Sequence, residues 1–172
     1  IADVSLLKRV LVVGSNLRKD HPLLAVRIRT AARKGLQLST VGSWQDDPLI
    51  PLRGDLAVAP SALPRALAEV VVAAAAIRGQ SVDADLAGVT PGDEAKRIAA
   101  SLCSGEPAAV FIGNFATHHP QAATLQVLAQ RLAALAGARF GVLGESASSV
   151  GGYIAGATPR GAGLNAQRML AD

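Results

Sequence analysis

The chain has 172 residues, half of them hydrophobic, with 17 Gly, a net charge of +4 and a single cysteine. This is enough to bury the core of one domain. It excludes an intrachain disulfide and a Cys₄ cluster. The basic residues are scattered and the aromatics form no stacking platform, so no nucleic-acid partner is expected. The longest apolar run, Val70 to Ile77, is far shorter than the roughly 18–20 residues of a bilayer span, so no direct membrane insertion is expected.

Ile1 to Lys8 reads as a lead-in, the last turn of an element lying upstream. Arg9 to Val13 is a short, nearly all-apolar, β-branched run that stops at Gly14, as a strand buried on both faces of a parallel sheet would. Pro22 opens a helix, and His21 to Lys34 sets Leu23, Leu24, Ile28 and Ala31 on one face and Arg27, Arg33 and Lys34 mostly on the other. Gly35 stops this helix. Leu36 to Val41 alternates as a second strand, completing a βαβ unit. From Gly42 to Gly54 the chain turns polar and is broken by Pro48 and Pro51, a surface loop in which Trp44 is expected to pack over a sheet edge. Asp55 to Ala59 reads as a third strand and Ala62 to Arg78 as a long Ala-rich helix stopped by Gly79.

After the connection Gln80 to Val89, Thr90 is placed to cap a helix with Pro91 in its first position. Asp93 and Glu94 then lie at the positive end of its dipole, and the helix runs to about Ser104. Ala108 to Ile112 is a further buried strand, followed by GNFATHHP, which echoes the earlier GSNLRKDHP. The echo predicts two related βα halves, each with a strand, a Gly/Asn turn and a His-Pro helix entry. The second half continues as helix His119 to Ala136, Gly137 as its stop, and strand Arg139 to Leu143. The reading is therefore an α/β, Rossmann-like parallel sheet with helices on both faces over residues 1–143, and a Gly/Ser-rich tail over 144–172 in which Leu164 to Leu170 resumes a helical pattern. The chain opens at Ile1 without methionine and stops at Asp172 soon after that pattern starts, as a piece of a longer polypeptide would.

In such a sheet the loops at the carboxyl ends of the strands are where ligands sit, which makes Gly14, Ser15, Asn16, His21, Gly113 and Asn114 the candidate binding residues. They depart from a working nucleotide site. GSNLRKDHP lacks the second glycine of GxGxxG, it is not a phosphate-binding GxxxxGK[ST] loop, and the second strand ends in Ser39, Thr40, Val41, Gly42, Ser43 with no acid before Asp46 to read a ribose. Arg18 and Lys19 stand near the helix start, but every α/β protein has such a helix start. His21, His118 and His119 are accompanied by no Cys or carboxylate at ligand spacing, so no metal is expected and they read as helix-entry histidines. Asp20 reads as a capping carboxylate, Cys103 as a core thiol, and Ser146, Ser148 and Ser149 match no nucleophile elbow. No catalytic constellation is visible.

VLVVGSNLRKDHPLLAVRIRTAARKG resembles the molybdopterin-oxidoreductase-like region of the large iron–sulfur subunits of bacterial NADH:quinone oxidoreductases, the respiratory complex I family, and GAGLNAQRMLAD is similar to the same subunits further along. The wider molybdopterin family approaches a guanine-dinucleotide cofactor with a G-x-N-P loop at the position of Gly14 to Leu17, and here Leu17 replaces the proline. Where that family places Asp-Pro-Arg after the next strand this chain has Val41, Gly42 and Ser43, and Pro60, Ser61 and Ala62 stand at the later acidic turn. The resemblance implies a scaffold without a molybdenum cofactor and a vestigial set of loop residues. It places the iron–sulfur clusters of the parent subunit in other segments. The implied partners are the remaining domains of that subunit and neighbouring subunits of the peripheral arm, on the cytoplasmic side of the bacterial inner membrane, in an assembly that passes electrons from NADH to quinone. The Ala62 to Ile77 helix and the Gly-rich tail are then expected to face those neighbours. A working molybdopterin- or nucleotide-binding oxidoreductase domain and an independent interaction domain are the alternatives.

Overall fold

A computed structural model describes residues 2–45, 47–146, 149–159 and 163–171. A 3-10 turn at Ala2–Leu6 leads into β1 (Arg9–Val13). A one-turn helix α1 (Leu17–Asp20) and then α2 (Pro22–Ala32) carry the chain to β2 (Gln37–Gly42). β3 (Leu52–Ala57) follows a loop, and α3 (Leu63–Arg78) and α4 (Asp93–Cys103) lead to β4 (Ala108–Ile112). A second one-turn helix α5 (Asn114–Thr117), then α6 (Ala122–Ala136), return the chain to β5 (Arg139–Val142). Two short helices, α7 (Ser149–Ile154) and α8 (Ala166–Met169), lie in the tail.

The five strands among the described residues are all parallel, in the order β3-β2-β1-β4-β5. The α/β fold with helices on both faces agrees with the sequence, and the strand alternation shows how it is built. Leu11, Val13, Val110 and Ile112 point to the face covered by α3, α4 and α6, whereas Val10, Val12, Leu38 and Ala109 point to the face covered by α2 and the N-terminal turn. Because β1 is central and the chain leaves it for β2 in one direction and reaches β4 in the other, the carboxyl ends of β1 and β4 form the place where strand order reverses.

Several boundaries differ from the sequence expectation, each for a local reason. Thr90 and Pro91 do not start α4. The Glu69 carboxylate on α3 accepts the Gly92 N–H at 3.1 Å and holds Gly92 extended as the N-cap, so the helix begins two residues later, with Asp93 and Glu94 in its first turn. β3 starts and ends earlier, because its pairing with β2 runs from Leu52 to Ala57; within it, Glu94 Oε1 accepts the Asp55 N–H. α6 begins after His119, whose Nδ1 accepts the Gln121 N–H at 3.0 Å.

The Ala62 to Ile77 segment is not a free surface. Ten residues of α3, including Leu63, Leu67, Val70 and Ala74, are buried between the sheet and its neighbouring helices. Pro60–Arg78 is the one stretch among the described residues with the length and hydropathy to cross a bilayer, and it is this core helix. Its alanines allow close helix contact on both sides, and Arg78 closes the joint by donating to the Leu135 and Ala136 carbonyls at the end of α6.

Candidate functional site

The strand ladder runs past β1 and β4 into their glycines. Gly14 N–H donates to Val41 O and Gly113 N–H to Val13 O, both at 2.9 Å, which brings the two loops against each other. Gly14 has φ +60°, a conformation that favours glycine, and a Cβ there would lie 2.7 Å from Ala116 N and 2.8 Å from Ala116 Cβ. A Cβ on Gly113 would overlap Ser15 Cβ and lie 3.0 Å from Gly14 O. In a dinucleotide site the open face of such a glycine is where the backbone approaches pyrophosphate. Here the Cβ side of each glycine is filled by the opposite loop.

Several of the loop donors are bonded within the chain as well. Asp20 Oδ2 accepts the Asn16 N–H at 2.9 Å and the Ser15 hydroxyl at 3.2 Å, so the carboxylate lies at the N-terminus of α1, where an anionic ligand would otherwise bind. Asp20 therefore folds back on its own loop instead of capping α2, whose N-cap is His21 with no side-chain cap bond. Asn16 caps α1 through Oδ1, which accepts the Lys19 N–H. On the β4 side, the Phe115 and Ala116 N–H groups donate to Gly14 O at 3.0 and 3.3 Å. A phosphate would have to displace these partners, so at the glycines the residues do not fit a pyrophosphate.

Beyond the glycines is an open cleft of about 520 Å³ lined by Asn16, Lys19, Asp20, Trp44, Asn114, Phe115 and His118. Trp44 lines a small pocket with Leu52 and Asp55 of the edge strand β3 and also reaches the strand reversal. It stands edge-on to Phe115 with ring centroids 5.1 Å apart, over the reversal point, and Phe115 in turn leans on His119 at 6.2 Å. Asn16 and Asn114 are thus brought to one cleft. His21 does not line it; its Nε2 is buried and has no hydrogen-bond partner among the described residues.

The other two histidines serve the chain. His118 Nδ1 donates to Asn114 O at 2.8 Å, with Nε2 3.4 Å from Glu145 Oε2. His119 accepts from Gln121 N–H through Nδ1, so its Nε2–H donates to Pro60 O at 3.0 Å, tying the start of α6 to the entry of α3. Among the described residues no group of three His, Cys, Asp or Glu side chains is placed to hold a metal ion. Cys103 is half-buried beside Arg78, and burial pushes its thiol pKa up despite that guanidinium, which disfavours the nucleophilic thiolate. Asp46 and Ser148 lie outside the described residues.

Sequence reading missed Asp55. It faces Thr40 across the β2–β3 pair and accepts the Thr40 hydroxyl, supplying an acid near the end of β2 from the neighbouring strand. Only the strand order, which pairs β3 with β2, puts it there.

The model of one family, described as molybdopterin oxidoreductase, matches residues 1–172. No curated protein matches the chain.

Proposed function

Because this chain belongs to the molybdopterin oxidoreductase family, its role is oxidoreductase-related, and we propose that it is a non-catalytic scaffold within the large iron–sulfur subunit of a bacterial NADH:quinone oxidoreductase. The observation that carries the scaffold reading is the closure of the two glycine loops on each other, Gly14 against Ala116 and Gly113 against Ser15, with Asp20 on the loop donors. The placement in complex I is supported by the resemblance of the Val10 to Gly35 and Gly161 to Asp172 stretches. In this reading the iron–sulfur clusters belong to other segments of the parent subunit. The chain packs on those segments and on neighbouring peripheral-arm subunits, on the cytoplasmic side of the inner membrane.

An antibody raised against this chain tests the placement. On native gels of membranes from the source cells, it is expected to stain the band that oxidises NADH and reduces quinone. Staining of a separate band that lacks this activity contradicts the placement.

A second reading, a working pterin- or nucleotide-binding domain, is favoured by one feature: Asn114, which lines the cleft, has a buried Oδ1 with no partner among the described residues, an acceptor suited to an N–H of a base. The two readings differ in whether a guanine-bearing ligand binds.

A further inference from the structure

The sheet face carrying α2 has an unpartnered surface of a different kind from the cleft. Between the second half of α2 and the loop before β3 lies a groove of about 260 Å³, lined by Ala32, Leu49, Ile50 and Pro51, with Arg29 and Arg33 on its helix side. Arg29 and Arg33 are four residues apart, so their side chains project side by side from adjacent turns. Both are exposed, and among the described residues neither guanidinium has an ion-pair or hydrogen-bond partner. α2 and the two residues after it contain four cations, Arg27, Arg29, Arg33 and Lys34, and no acid.

The opposite wall is Leu49, 46% exposed at a φ of +55° that leucine rarely adopts. It is held there because its N–H donates to Asp47 Oδ1 at 2.8 Å, while Arg18 donates to the Asp47 carbonyl at 2.7 Å. Val26 and Leu23, 60% and 79% exposed, continue the apolar surface toward the start of α2.

We infer that this groove docks an acidic segment of a partner protein, placing an aliphatic side chain against Leu49, Ile50 and Pro51 and a carboxylate on the Arg29 and Arg33 pair. The charge chooses the partner. Two unpaired guanidiniums beside each other match the planar, two-oxygen geometry of a carboxylate. The aliphatic floor asks for an apolar side chain next to it, which an acidic peptide carries and a free anion does not. Among the described residues no aromatic ring lines the groove to stack a base, so it is not built for nucleic acid. This deepens the scaffold reading and rests on it for the existence of a partner; cofactor binding at the cleft is read by a separate titration.

The test is fluorescence anisotropy with three labelled dodecapeptides, alternating glutamate and leucine, alternating glutamine and leucine, and all glutamate, together with sedimentation on anionic phosphatidylglycerol vesicles. The expected result is saturable binding of the glutamate–leucine peptide. Binding should weaken about tenfold or more for the glutamine–leucine and all-glutamate peptides, and for the double variant R29Q/R33Q. Leu49→Gly, which suits the positive φ and so leaves the fold intact, should weaken it similarly by removing the wall. Equal binding of all glutamate, insensitivity to these variants, absence of binding up to about 1 mM, or vesicle binding that replaces peptide binding and depends on the same residues would each overturn the assignment.

Discussion

Gly113→Ala is expected to destabilise the chain by about 3 kcal/mol, because the added Cβ overlaps Ser15 and presses on the Gly14 carbonyl, and backbone cannot yield as a flexible side chain does. In a domain of this size that is a fall in melting temperature of about 6–12 °C. Gly14→Ala should cost about as much, through contact with the Ala116 backbone and a left-handed φ that alanine disfavours. Gly88→Ala, where a Cβ meets nothing within 4 Å, is the control and should lie within about 0.5 kcal/mol of the parent. The comparison bears on function. Were these glycines keeping room for a ligand, the unliganded variants would melt with the parent and only binding would suffer. Ser15→Gly combined with Gly113→Ala should recover part of the loss, since it removes the Cβ that the new methyl meets and leaves only the Gly14 carbonyl pressed.

The second large effect lies in the core beneath the site. Leu67 on α3 and Ile98 on α4 are both fully buried in the cluster that joins three helices to the sheet. Leu67→Ala and Ile98→Ala should each cost about 3–4 kcal/mol, the lost transfer energy plus the cavity left behind, as read from urea unfolding midpoints. Leu23→Ala, at a side chain 79% exposed, should change stability by less than about 0.5 kcal/mol. A small effect at Leu67 would mean that α3 is an outward face, as its apolar composition alone suggests.

Much of this architecture is legible in the sequence, and the failures share a cause. The strands at Arg9–Val13 and Ala108–Ile112 declare themselves because burial on both faces leaves continuous β-branched and apolar runs, and Gly79 and Gly137 end helices in the left-handed conformation that only glycine adopts freely. These strand ends locate the candidate loops. They do not reveal what fills them. That Ser15 fills the space before Gly113, that Asp20 serves Asn16 and not α2, and that Trp44 reaches Phe115 are contacts between segments far apart in sequence or made by a single side-chain turn. No periodicity records them. The same holds for α3: an apolar helix buried by its own chain and one buried by a partner have the same composition, and only the placement of α4 and α6 separates them. Helix starts moved for a related reason, since Glu69 captures Gly92 from another helix.

If the loops at the strand reversal close on themselves and hold no cofactor, the most direct test is a melting-temperature titration of the purified chain with guanosine diphosphate, paired with oxidised-pterin fluorescence of the same preparation. A ligand present at a hundredfold its Kd adds about 2.7 kcal/mol, or about 5–11 °C for a chain of this length. Closed loops predict no pterin signal and a melting temperature unchanged within about 1 °C at millimolar nucleotide. A co-purified pterin, or a rise of several degrees that Gly14→Ala abolishes, would contradict closure.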